Sequence, residues 1–280
     1  MTPAALALSA ELAVELDTNA SDTRAIRLRS SHLKAMAQSP AHARWAMLND
    51  RDQTLSMRIG SATHSLTFGG PSVVVFPGKT RNGKIWDAFK EAHKADIIVS
   101  RKEFQRAQAM AKALRTNPVS ARVLFGEGFI NEQTIEWEWN GRAMRCTPDV
   151  RSLRHLVDLK TCRTAEPERF MWDAVRMGYH AQLALYSQAM ATVHPSGCGP
   201  TDVYIVAVES APPHDVVVRR LTPSSLEVGA RLNKTWFDRF MECEAANHWP
   251  GYAESVVDMD VPLEPVDLIF AEDNAEQGDE

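Results

Sequence analysis

Apolar and polar positions alternate along this chain with two different periods, and the change of period marks its organisation. From Ser30 to Leu48 the run SSHLKAMAQSPAHARWAML places apolar residues at helical spacing, and Ser39-Pro40 punctuates it. Arg58 to Phe68, RIGSATHSLTF, predicts another helix with small residues along one side, and Val73 to Phe76 a short β-branched strand. Pro77 to Lys84, PGKTRNGK, has the Gly and Asn content of a loop. Ile97-Ile98-Val99 predicts a strand, and Arg101 to Arg115 a helix with Phe104, Ala107, Ala111 and Leu114 on one face.

The middle of the chain switches to a period of two. Thr134 to Trp139 alternates, Asn140-Gly141 is a hairpin signal, and Arg142 to Val150 reads as the return strand. A tight connection over 151–155 then leads into a third strand, Leu156 to Lys160, completing a meander. Glu166 to Ala191 predicts one long helix, Val203 to Val208 and Val216 to Val218 two strands, and Ser224 to Asn247 a closing helix. This order predicts an α/β fold with a mixed central sheet flanked by helices.

Composition narrows the class without deciding the function. The 280 residues, 44% hydrophobic and 24% charged, suffice for one large soluble domain. We divide them into an N-terminal extension (1–28), a single domain (29–250) and a C-terminal extension (251–280) whose ending, EDNAEQGDE, reads as a solvated acidic tail. No apolar run is long enough for a transmembrane helix, so no membrane role is expected, and the start lacks the basic region of a secretory signal. Cys146, Cys162, Cys198 and Cys243 are scattered without a CxxC pair, as in a cytoplasmic protein with reduced thiols. The formal net charge of -5 is not the overall basic signature of a nucleic-acid binder, so any DNA contact needs a local basic groove.

The candidate chemistry centres on residues 155–162, HLVDLKTC. On a strand, Asp158 and Lys160 leave one face while Leu159 leaves the other, toward the core. The preceding strand runs into Thr147-Pro148-Asp149, and a meander would bring Asp149 beside Asp158. Two close carboxylates repel unless a cation lies between them, and oxygen ligands suit Mg²⁺. The Leu159 carbonyl adds an oxygen, and Lys160 could neutralise a phosphate or orient an attacking water. A lone D-x-K is more often a surface ion pair. Upstream, His64 sits among small residues on a predicted helix; imidazole suits Mn²⁺ better than Mg²⁺, and taken alone His64 reads as a structural or surface histidine. Downstream, Gln182 and Tyr186 are i and i+4 on one helix face.

In this order, SSHLKAMAQSPAHARWAML, IGSATHSL, CTPDV, VDLKTC and YHAQLALY resemble the PD-(D/E)xK nuclease superfamily in its RecB-like branch, and within it the RecE (exonuclease VIII) type of phage recombination exonuclease. The pieces span roughly residues 29 to 190. The resemblance implies a restriction-endonuclease-like core and Mg²⁺-dependent DNA cleavage, with Mn²⁺ as a substitute. It implies His64, Asp149, Asp158 and the Leu159 carbonyl as metal ligands, Asp149, Asp158 and Lys160 as the catalytic set, and Gln182 and Tyr186 as the accessory motif. It further implies 5′-to-3′ degradation of linear double-stranded DNA ends, a cognate single-strand-annealing protein, a homo-oligomeric ring and a bacterial, phage- or prophage-encoded source. Some RecB-like nucleases carry an iron–sulfur cluster; without clustered cysteines, none is expected here.

Several other residues carry two readings. Lys79, Arg81 and Lys84 suit phosphate contacts or a solvated loop. Glu132, Glu136 and Glu138 fit an extra metal carboxylate or a solvent-facing edge, and Trp137 and Trp139 fit base stacking or, better, cross-strand packing. Arg142 and Arg145, near Asp149 in sequence, are candidates for meeting DNA. An endonuclease, a single-strand nuclease and a non-catalytic DNA-end-binding module are the competing functions.

Overall fold

The computed structural model describes residues 23–49, 53–253 and 255–259. Most of the expected N-terminal extension (1–22) and the acidic tail (260–280) lie outside the described residues. Residues 23–28 are woven into the fold: Leu28 is fully buried, its N–H donates to Ala143 O, and its carbonyl accepts from Arg145 N.

The helical N-terminal run breaks where Ser39-Pro40 places it. Helix α1 (Ser30–Ala35) stops, and α2 (Pro40–Leu48) restarts with Pro40 in its first turn and the Ser39 hydroxyl accepting from His42 N–H. Helix α3 (Leu55–Phe68) follows, then strand β1 (Val73–Val75), α4 (Gly83–Ala92) and β2 (Ile97–Val99). Strands β1 and β2 pair in parallel as a separate two-stranded sheet. The expected loop ends at Asn82, so Lys84 lies on α4. This helix buries no residue fully; its Trp86 and Phe89 rings rest on Phe76, with centroids 5.0 and 5.1 Å apart. Helices α5 (Arg101–Thr116) and α6 (Pro118–Leu124) complete the first half.

The central sheet has five strands in the order β3 (Ile130–Asn131), β6 (Val150–Arg151), β7 (His155–Cys162), β8 (Asp202–Glu209) and β9 (Val216–Arg220). It is mixed, because β7 and β8 run parallel while the other pairs are antiparallel. The expected three-strand meander does not form. Strands β4 (Ile135–Trp139) and β5 (Arg142–Cys146) make their own hairpin sheet, and Val150 pairs with β7 instead. Pro148 explains the break, since it has no N–H to extend the ladder.

Alternation along β7 divides the core in two. Leu156 faces one apolar layer with Leu183, Leu185, Phe237 and Phe240, while Val157 and Leu159 face the other with Ile59, Met110 and Leu114. Asp158 and Lys160 therefore point to the Leu156 side. That side is covered by a helix pair expected as one continuous helix: α7 (Pro167–Arg176) and α8 (Tyr179–Val193). Gly178 separates them with φ of 68°, a left-handed conformation that a side chain would strain. Helix α9 (Pro223–Ala246) pins the first turn of α8. A Cβ on Gly229 would lie 2.4 Å from His180 O, and the buried Asn233 amide donates to Ala181 O at 2.7 Å. Among the described residues no helix is long and apolar enough to cross a membrane.

Candidate active site

The site forms where β6 stops pairing with β7. Their ladder ends at Val150–Val157 on this side, so the β7 edge beyond it needs other partners. Asp149, just before β6, supplies one: its Oδ2 accepts from Leu159 N–H. His64 on α3 supplies another, with Nε2 3.0 Å from the Leu159 carbonyl. Gly60, one turn earlier on α3, faces β7 as well; a Cβ there would make ordinary contact with Thr161 Oγ1 at 3.4 Å. The HLVDLKTC strand, the Pro-Asp turn and the small-residue helix thus meet at one residue, Leu159.

A third acid joins them. Glu132 follows β3, its N–H donates to Asp149 O at 3.2 Å, and its φ of 52° is unusual for a residue with a side chain. His64 Nδ1 lies 3.6 Å from Glu132 Oε1 and 3.5 Å from Asp149 Oδ1. Ligand atoms of His64, Glu132 and Asp149 all lie within 4.8 Å of one another. Glu132 carried two open readings in the sequence, as did Glu136 and Glu138; β3–β6 pairing carries it to the cluster.

Asp158 and Lys160 form the adjoining group. Lys160 Nζ is 2.6 Å from Asp158 Oδ2 and donates to Gln182 Oε1 at 3.2 Å. Gln182 Nε2 donates to Asp158 Oδ1 at 3.0 Å and to the Tyr186 hydroxyl at 3.1 Å. Asp158 is 2% exposed, so it lies deep beside the strand. A cleft of about 920 Å³ reaches His64, Glu132, Leu159 and Lys160, with Gly60 and Ser61 on its wall.

The charges follow from this arrangement. Burial works against the His64 imidazolium, yet the Asp149 and Glu132 carboxylates outweigh it and push its pKa up to about 10. Burial also opposes the Asp149 charge, but His64, Lys160 and the Leu159 N–H hold that carboxyl below the usual range. Asp158 is the reverse case: burial, with Asp149 adding repulsion, lifts it to about 6 despite Lys160. Burial would strip the Lys160 proton, but Asp158 and Asp149 hold it on and raise its pKa.

The donor set fits a hard divalent cation. It offers two carboxylates, a backbone carbonyl and an imidazole, the oxygen-rich mixture suited to Mg²⁺ or Mn²⁺. In the protein alone the imidazolium faces these three oxygens, where a cation would be attracted. Asp158 Oδ2 is a further fitting feature, being buried with no aligned hydrogen bond despite its close ammonium.

The remaining candidates divide. Lys79 is exposed on its loop and Lys84 at the start of α4, and neither shares a hydrogen bond or ion pair with the cluster. Arg81 is not placed for phosphate: it pairs with Glu103 at 2.5 Å, donates to Ile98 O and lies over Trp86. Arg145 lies opposite Glu136 on the β4–β5 hairpin and takes no part in the carboxylate hydrogen bonds. Arg142 is buried against Glu244 and the Thr23 and Ile26 carbonyls, so it does not face DNA. Trp139 stacks on Phe237 of α9 with centroids 4.1 Å apart, and Trp137 is buried in the same apolar layer, so the hairpin packs its tryptophans against a helix.

With that geometry in place, the chain belongs to a family of nuclease-like domains. Residues 29–259 match the family described as PDDEXK-like domain of unknown function (DUF3799), and this protein is a member of it. No curated protein matches the chain in sequence. Among solved structures it is similar to one described as "Putative exonuclease" from Eubacterium rectale, with TM-score 0.61, 12% identity, and coverage of 88% of this chain and 95% of that one. At that identity the likeness is one of fold. A second, SSO0001, has TM-score 0.29 at 9% identity, covering 75% of this chain and 83% of that one, and carries no argument.

Because the His64 pKa is raised to about 10, its proton must leave before the ring can coordinate a cation. Divalent-ion affinity should therefore climb by up to about tenfold per pH unit between pH 7 and 9, measured by calorimetric titration in at least two buffers. The stability linked to this group has the opposite sign. In the protein alone it is fully present below pH 6.5 and is lost as pH rises through about 10. A flat affinity across pH 7–9 would remove His64 from the ligand set.

Proposed function

We propose that this protein is a metal-dependent deoxyribonuclease, and within that class a 5′-to-3′ exonuclease that resects linear double-stranded DNA ends for single-strand-annealing recombination. The observation that carries the nuclease reading is the Leu159 backbone, its N–H held by Asp149 and its carbonyl by His64, beside the Asp158–Lys160 pair. Exonuclease polarity, a cognate annealing protein, a homo-oligomeric ring and a phage- or prophage-encoded role in the bacterial cytoplasm rest on the motif resemblance. The description of the Eubacterium rectale protein, which shares the fold, agrees with the exonuclease reading.

In this mechanism His64, Glu132, Asp149 and the Leu159 carbonyl are the donors that would hold Mg²⁺ or Mn²⁺, with Asp158 Oδ2 adjoining them. When bound, such an ion supplies Lewis acidity toward a phosphate oxygen and lowers the pKa of water. Lys160 enters as an ammonium, because Asp158 and Asp149 hold its proton on; it offsets negative charge on the phosphate and does not act as a base. Gln182 fixes both members of the pair through one amide, and Tyr186 orients that amide. Gly60, Ser61 and His64 of α3 line the cleft along the β7 edge, where the scissile bond would lie.

Linear duplex DNA labelled at either the 5′ or the 3′ end, with closed circular DNA alongside, tests the whole reading. Each substrate is incubated with Mg²⁺, Mn²⁺ or EDTA. We expect metal-dependent loss of linear DNA alone, with early release of the 5′ label as mononucleotide. Cutting of closed circles would leave an endonuclease. Preference for single strands would remove the resection role. Binding of ends without cleavage under any metal would make the protein a binding module.

A further inference from the structure

The face of α8 that meets the strand carries one aromatic residue beyond Gln182 and Tyr186. Tyr179 opens the helix three positions before Gln182, so Tyr179, Gln182 and Tyr186 are i, i+3 and i+7 on one stripe. The left-handed Gly178 turns the chain out of α7 just before it, and the Gly229 and Asn233 contacts of α9 hold the same turn from behind. The consequence is a close contact: Lys160 Nζ lies 4.7 Å from the centroid of the Tyr179 ring. An ammonium has three protons to place. Asp158 Oδ2 lies 2.6 Å from the nitrogen, Gln182 Oε1 accepts at 3.2 Å, and the ring face closes a further side.

We propose that Tyr179 is a positioning residue for Lys160, its ring holding the ammonium by cation–π attraction in the rotamer that faces the phosphate. This rests on the nuclease reading, in which Lys160 supplies charge to the reaction. A four-carbon stem has many rotamers, and the polar contacts to Asp158 and Gln182 do not by themselves fix it. The ring adds attraction over a π-face that does not compete for protons. The hydroxyl is not needed for this, so the ring and not the phenol is the functional part.

Two substitutions separate the ring from the hydroxyl. Tyr179→Phe should keep cleavage near wild type. Tyr179→Leu should lower kcat by about fivefold to thirtyfold with KM for DNA unchanged, the range that a partly desolvated cation–π contact converts to. In a Lys160→Ala background the same Tyr179→Leu change should cost nothing further, because the group it positions is gone. A merely structural role would instead lower the melting temperature and act equally in both backgrounds. A readout independent of cleavage is the ring-current shift of the Lys160 ε-methylene in protein labelled with ¹³C-lysine, its signal identified by its loss in Lys160→Arg. It should lie upfield in wild type and Tyr179→Phe and return to the ordinary lysine position in Tyr179→Leu. If the signal does not move, or if Phe and Leu behave alike while Lys160→Ala is inactive, the positioning role is overturned. If wild type cuts no DNA but the signal moves, the contact stands and the nuclease reading falls.

Discussion

Asp149→Asn should leave a folded protein whose DNA cleavage is slower by about 1,000-fold, toward the upper end of what removing one preorganised electrostatic group costs. Asparagine keeps the shape and can still accept from Leu159 N–H, so the backbone contact survives the change. What it removes is the negative charge. That charge attracts a hard cation and is the foremost influence holding the proton on His64. Two further results should accompany the loss. The His64 pKa should fall back toward 6.5, visible in its ring resonances. Raising Mn²⁺ should restore part of the activity, because a weakened site still fills by mass action. Thermal melting should change by only a few degrees, since no cavity is created. Retention of cleavage within about tenfold of wild type would take Asp149 out of the catalytic set, since even one lost donor normally costs more.

The parts of this site that were legible in the sequence are those set by local spacing. Asp158 and Lys160 share a strand face because strands alternate, and Gln182 and Tyr186 share a helix face because helices turn every 3.6 residues. Glu132 was only half legible. Its approach depends on a left-handed backbone angle and on β3 pairing with β6, and neither leaves a mark in a charged residue's neighbours. The break at Gly178 was hidden for a related reason: a lone glycine inside a helical pattern is often tolerated, and here α9 packing decides the outcome. The meander failed at Pro148, which is visible in the sequence; that Val150 would then join β7 and not β5 is a tertiary choice. Arginines were the least legible residues. Arg81 read as a phosphate contact or a solvated-loop residue and Arg142 as a candidate for meeting DNA, and each has a buried glutamate as partner, in the second case 102 residues away.

Arg142→Ala should accordingly be one of the most damaging single changes to stability and should leave the DNA-binding surface intact. The Arg142 Nε donates to Glu244 Oε2 at 3.0 Å, and its Nη2 donates to the Thr23 and Ile26 carbonyls at 2.6 and 2.7 Å. Thr23 Oγ1 donates to the other Glu244 oxygen at 2.7 Å, so one buried ion pair joins the N-terminal segment, the β4–β5 hairpin and α9. Truncating the arginine leaves the Glu244 carboxylate buried without its counter-charge and takes a donor from the Thr23 and Ile26 carbonyls, of which Thr23 O keeps the Ile26 N–H. Breaking such a pair from one side costs about 3–5 kcal/mol. For a chain of this size that lowers the melting temperature by roughly 10 °C, and chemical denaturation should show the same loss. The double change Arg142→Met with Glu244→Met should recover much of it, because removing both charges removes the uncompensated one. At a temperature where Arg142→Ala is still folded, its affinity for DNA should equal that of wild type. Unchanged stability with weakened DNA binding would instead return Arg142 to the nucleic-acid surface, and would mean that the three segments are held together by apolar packing around Leu28 and Met144, not by this pair.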